Sequence, residues 1–157
     1  MATYDRFEDL PVWKDSIELA EKIYALAETS PFRRKYSLRD QIERAALSVS
    51  NNIAEGFERG TNQELLTFLY IARGSASEVR SMLLFLERLP VFKNLQFQIS
   101  NLKSSVESIS RQLRAWADSL QNSDIRGQRY LNERSKTLDK RKKEQQEFLK
   151  SLKRYTK

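Results

Sequence analysis

LQFQISNLKSSVESISRQLRAWADSL, residues 95–120, is the stretch that decides the fold class. Its apolar residues Leu95, Ile99, Leu102, Val106, Ile109, Leu113, Trp116 and Leu120 recur at alternating steps of four and three. Those steps place all of them on one side of an α-helix, as an unbroken heptad seam. A strand would need a period of two. The remaining positions are mostly Ser, Gln, Asn, Lys and Arg, so one face calls for a core and the others for water.

A seam of this kind needs partners, and three more segments upstream supply them. Thr61 followed by Glu64 is a capping box that opens a helix with the face Leu65, Phe68/Leu69, Ala72, Ala76, Val79, Leu83 and Leu86. That helix ends at Leu89-Pro90. Before it, Ser37 is expected to cap a helix with Asp40 in its first turn and the face Leu38, Ile42, Ala45, Val49, Ile53 and Phe57, with Gly56 and Gly60 marking its exit. The first helix opens at Leu10-Pro11, where proline suits the first helical position, and stops before Ser30-Pro31. Its face is read as Trp13, Ile17, Ala20, Tyr24 and Ala27. Phe7, Leu10 and Val12 are weighed as an arm that packs on a neighbouring subunit. The small residues Ala45 and Ala46 on the second helix, and Ala72, Gly74, Ser75 and Ala76 on the third, predict that these two pack closely. Four amphipathic helices with short connections predict an all-α, antiparallel up-down-up-down four-helix bundle over residues 1–122.

Composition agrees with a few long helices, since the 157 residues include only 4 glycines and 3 prolines. With no Cys and no His, the chain lacks disulfides, Cys/His zinc sites, thiol nucleophiles and the commonest general base. The expectation is therefore a protein that is not an enzyme and that uses no metal and no cofactor. No apolar run approaches the ~18 residues of a membrane span, and the charged N-terminus lacks a signal-peptide pattern, so a cytoplasmic location is expected.

The net charge of +7 is confined to one region. Residues 1–122 carry 16 Lys/Arg against 16 Asp/Glu, whereas residues 123–157 carry 12 against 5. The latter form a basic C-terminal extension, either helical or disordered. Its cations include Arg126, Arg129, Arg134, Lys136, Lys140, Arg141, Lys142, Lys143, Lys150, Lys153 and Arg154, interleaved with Tyr130, Phe148 and Tyr155. Cations release counterions from phosphates and aromatics stack on unpaired bases, so nucleic acid is the expected partner. Arg33, Arg34 and Lys35, in the first connection, are candidates for a supplementary phosphate contact. A charge run can also be a solubilising appendage, and Leu131, Leu138, Leu149 and Leu152 are compatible with a tail that docks on a protein.

One polar set belongs to the body. Arg44, Ser48, Asn52 and Glu55 line one side of the second helix, while Arg73, Ser75 and Glu78 face similarly on the third. Folding back at Gly60 should bring Arg44 near Ser75 and Glu78. The set is expected to be a structural network that fixes register.

Two stretches are more specific than amphipathy requires: Arg44-Ala45-Ala46-Leu47-Ser48-Val49-Ser50-Asn51-Asn52-Ile53-Ala54-Glu55-Gly56 and Phe68-Leu69-Tyr70-Ile71-Ala72-Arg73-Gly74-Ser75-Ala76-Ser77-Glu78. With Phe7-Glu8-Asp9-Leu10-Pro11-Val12-Trp13, they make residues 7–120 resemble the bacterial four helix bundle protein family, also called 23S rRNA intervening-sequence proteins. Ser50 stands where that family usually has proline, and the basic extension lies beyond its usual domain. The resemblance implies a four-helix bundle assembled as a homo-oligomer, typically a pentamer. It also implies a distant relation to the accessory variability protein of diversity-generating retroelements, which binds a reverse transcriptase and nucleic acid. The functional expectation is an oligomeric accessory protein binding RNA or RNA/DNA. The alternative is a protein–protein scaffold ring whose tail docks a partner.

Overall fold

The structure, a computed structural model, describes residues 4–123, 137, 140–141 and 144–151. Four long helices carry the fold: α1 (Pro11–Ala27), α2 (Tyr36–Glu58), α3 (Asn62–Arg88) and α4 (Gln96–Gln121). Short 3-10 turns at Phe7–Asp9, Ser30–Phe32 and Pro90–Leu95 precede α1, α2 and α4. Each helix packs on its neighbour in sequence, and α1 closes the square against α4. Neighbours run antiparallel. Gln41 reaches Glu78, Ser48 meets Ser75 and Gly56 faces Phe68, so numbers rise along α2 as they fall along α3. Gln112 on α4 likewise donates to Asp15 on α1 at 2.7 Å. The architecture is the expected up-down-up-down bundle.

Three of the four seams are as the periodicity predicts. Ile99, Leu102, Val106, Ile109 and Leu113 of α4 are buried, and every predicted core position of α3 is buried with Leu65 and Leu69 at its start. On α2, Ile42, Ala45, Val49, Ile53 and Phe57 point inward. α1 is rotated from its expected register. Its buried positions are Val12, Ser16, Leu19, Ala20, Ile23, Leu26 and Ala27, while Trp13 is half-buried and Tyr24 exposed. Burying Ser16 is tolerable because its hydroxyl donates to the Val12 carbonyl at 2.6 Å. Ser50, also buried, donates to the Leu47 carbonyl at 3.1 Å.

The close approach of α2 and α3 centres on Gly56 rather than on Gly74. A Cβ on Gly56 would stand 2.6 Å from Phe68 Cβ, whereas nothing lies within 4 Å of one on Gly74. The arm before α1 folds onto its own bundle: Leu10 and Val12 are buried, and Phe7 meets Trp13 edge-on with centroids 5.3 Å apart. Thr61 caps α3 as read, accepting from the Glu64 amide at 3.2 Å and donating to its carboxylate at 2.9 Å. α2 starts earlier than expected, at Tyr36, so Ser37 lies inside its first turn and makes no cap.

The bundle has two distinct ends. At one, the α1–α2 and α3–α4 connections meet, pinned by the fully buried Phe32 and Phe92, whose rings pack edge-to-face with centroids 4.9 Å apart. At the other lie the α2–α3 turn and the end of α4. There Asn62 donates to the Ser123 hydroxyl at 2.9 Å, which fixes where the basic extension leaves the body.

Candidate nucleic-acid interface

The cations named from sequence fall into two places. Arg33 and Arg34 are exposed and Lys35 is half-buried, in the connection that follows Phe32. Lys140, Arg141 and Lys150 are exposed on helical backbone, as are Phe148 and Leu149. Arg126, Arg129, Arg134, Lys136, Lys142, Lys143, Lys153 and Arg154 lie outside the described residues, as do Leu131, Leu138, Leu152, Tyr130 and Tyr155. The extension departs at Ser123, the end of the bundle opposite Arg33, Arg34 and Lys35. At ~1.5 Å per residue, the 26 residues of α4 separate the two ends by roughly 40 Å. The first connection and the point where the extension leaves the body therefore lie at opposite ends of the bundle.

The connection end is more basic than the sequence alone suggests. The Phe32–Phe92 contact brings together the connection that carries Arg33–Lys35 and the one that carries Lys93, and Arg88 lies in the last turn of α3 at the same end. Arg33, Arg34, Lys35, Arg88 and Lys93 have no ion pair among the described residues. The nearby carboxylates are already engaged: Glu28 and Glu43 with Arg39, Asp40 with Arg44 at 2.8 Å, and Glu87 with Lys103 at 2.7 Å. The Arg39 guanidinium is held further above its usual range, first by its hydrogen bond to Glu43 and then by the charges of Glu28 and Glu43. Tyr36 and Phe97 project from the same end, 75% and 78% exposed, more than any other large apolar side chain described. Phe97 is an aromatic that falls off the α4 seam, and that mismatch was the signal in the sequence.

The polar set between α2 and α3 forms, but with different partners from those expected. Ser48 and Ser75 share a hydrogen bond at 2.9 Å, and Asn52 donates to the Ser48 hydroxyl at 3.0 Å and its carbonyl at 2.7 Å. Arg44 pairs with Asp40 on its own helix, Glu55 pairs with Arg59, and Glu78 accepts from Gln41 at 3.1 Å. Arg44, Gln41, Ala45, Ser48 and Glu78 line a shallow open groove, so Arg44 and Glu78 are neighbours across it. Arg73 is half-buried and makes no ion pair among the described residues. These contacts tie the hairpin's register across polar groups that face water.

A further cleft of about 310 Å³ lies between α1 and α4, over Leu26 and Leu102, with Lys22, Thr29, Gln98 and Asn101 at its rim. Among the described residues no cluster of three or more acidic, His or Cys side chains could hold a metal, and no helix is long and apolar enough to cross a membrane.

The curated proteins contain no match to the chain. Among solved structures, a protein of unknown function from the S23 ribosomal protein family of Bacteroides thetaiotaomicron VPI-5482 has the same fold. It is 23% identical with a TM-score of 0.62, and the match covers 68% of this chain and 97% of that one. The family model for the 23S rRNA-intervening sequence protein matches residues 8–115, which span all four helices except the last residues of α4. The three quoted motifs lie in or at the edge of that span, and the chain belongs to the 23S rRNA-intervening sequence protein family.

Proposed function

We propose that the chain is a non-enzymatic, homo-oligomeric accessory protein that binds RNA or RNA/DNA through its basic extension. The observation that carries this reading is the confinement of the whole +7 to residues 123–157, attached to a body of balanced charge. Phosphate contacts supply sequence-independent affinity, and several extensions on one assembly would raise it by avidity. Self-association is supported by the outward face of α3, where Tyr70, Ile71, Leu84 and Phe85 are exposed around Gly74, Ser77 and Ser81. The family resemblance suggests five subunits and a reverse transcriptase as protein partner, and the absence of a membrane-span run or signal-peptide pattern suggests a cytoplasmic setting.

The test compares the full chain with residues 1–123. Among the described residues, every buried one lies between Leu10 and Ala117, so the shortened chain keeps that core. Fluorescence anisotropy against a labelled single-stranded RNA, titrated with salt, reads both affinity and the number of phosphates neutralised. The shortened chain should lose most of the affinity and most of the salt dependence. Equal binding by both forms would leave the alternative, a scaffold whose extension docks on a protein.

A further inference from the structure

We infer that the connection end of the bundle is a second nucleic-acid site, separate from the extension and selective for unpaired bases. The inference rests on the proposed function and adds a place and a substrate class to it. Three observations converge there. The buried Phe32–Phe92 pair fixes two connections against each other, so the cations on them form one constructed surface. Arg33, Arg34, Lys35, Arg88 and Lys93 share that surface while the carboxylates around them are bound to other cations. Tyr36 and Phe97, the two most exposed large apolar side chains described, stand at the same end, in the first turns of α2 and α4.

Cations alone would suit any polyanion. The aromatics narrow the choice. A duplex keeps its base faces stacked inside and offers an exposed ring little beyond backbone. A single strand turns its bases outward, and each can stack on an aromatic ring while the adjacent phosphates meet Arg or Lys. An acidic protein could also meet the charges, but only a single strand repeats a phosphate beside a flat base at every unit, which suits cations and exposed rings at one end. The first connection and Ser123, where the extension leaves the body, are roughly 40 Å apart along α4, so the connection end is a site of its own on the bundle.

The test uses the full chain with three probes of equal length: oligo-uridine, oligo-thymidine and a blunt RNA duplex. Tyr36→Ala with Phe97→Ala removes only exposed surface and should leave the thermal midpoint unchanged. Affinity for both single strands should fall about tenfold, with duplex binding altered less than twofold. Arg33→Gln, Arg34→Gln and Lys93→Gln together should weaken all three probes and lower the single-strand salt slope by about 2.

An aromatic variant that binds single strands as tightly as the parent overturns the inference, and leaves binding by the extension standing. So does an equal loss on all probes, or a changed sedimentation coefficient of the free variant, which would make the rings a contact between copies. Failure of the parent chain to bind any probe removes the proposed function as well.

Discussion

Replacing Gly56 and Gly74 by alanine, one at a time, tests the packing from which the bundle's geometry follows. Both glycines lie inside helices, where alanine is favoured by about 1 kcal/mol through backbone entropy. At Gly74 nothing stands within 4 Å of the new Cβ, so Gly74→Ala should stabilise by about 0.5–1 kcal/mol. At Gly56 the new Cβ would lie 2.6 Å from Phe68 Cβ and 3.2 Å from Leu65 Cδ1. Carbon atoms prefer about 3.5–4.0 Å, so roughly 1 Å of separation must be found. Phe68 Cβ is bonded to its backbone and has no rotamer escape, so α2 and α3 must part. Overpacking of this kind costs about 1–3 kcal/mol and matches or outweighs the gain in propensity. Gly56→Ala should therefore lose about 0–2 kcal/mol net, against the gain at Gly74. For a domain of this size each kcal/mol moves the midpoint by about 2–4 °C. Thermal and urea unfolding followed by circular dichroism would read both variants. A Gly56→Ala midpoint above the parent's would mean that the two helices do not approach as described.

Other outcomes follow from single contacts. Thr61→Ala removes both halves of the cap on α3 and should cost about 1 kcal/mol in urea unfolding. Ser16→Ala exchanges a buried hydroxyl, satisfied only by its own helix, for a methyl in an apolar seam; calorimetry should show a change within about 0.5 kcal/mol of zero or a gain. With no His and no Cys, no side chain normally titrates between about pH 6 and 8, and RNA affinity at fixed salt should vary less than twofold across that window. At acid pH the Glu8 carboxyl is held below its usual range by the hydrogen bond from Arg6. Its small contribution is present above the unfolded pKa and fades as pH falls through the lowered folded value, so Glu8→Gln should lower stability slightly near neutral pH and converge with the parent at the acid end of a pH–stability profile.

Legibility in the sequence tracked how unambiguous each apolar pattern was. α3 offers one line of Leu, Ala and Val that is buried as read, and α4 one seam that is buried from Ile99 to Leu113, whereas Leu95, Trp116 and Leu120 at its ends are half-buried and Ala117 goes inward in place of Trp116. α1 offers two registers one residue apart. The choice of Trp13 and Tyr24 followed aromatic size, yet such side chains tolerate an edge position, and the aliphatic line Leu19, Ile23 and Leu26 takes the centre. Ser16 concealed that line because its satisfied hydroxyl is invisible in a hydropathy pattern. The extension's charge was plain from composition, but its separation from Arg33, Arg34 and Lys35 depends on the parity of the helices. Arg88, Lys93, Tyr36 and Phe97 share one end of the bundle only through the antiparallel topology and the tertiary Phe32–Phe92 contact, which no local spacing reveals.

The most direct measurement is photo-crosslinking of a 4-thiouridine-substituted RNA to the full chain, with crosslinked peptides mapped by mass spectrometry. The charge distribution predicts that residues 123–157 dominate, with a second cluster at 33–36 and 93–97. Crosslinks concentrated on the middle turns of α2 and α3, with neither basic region labelled above background, would contradict it.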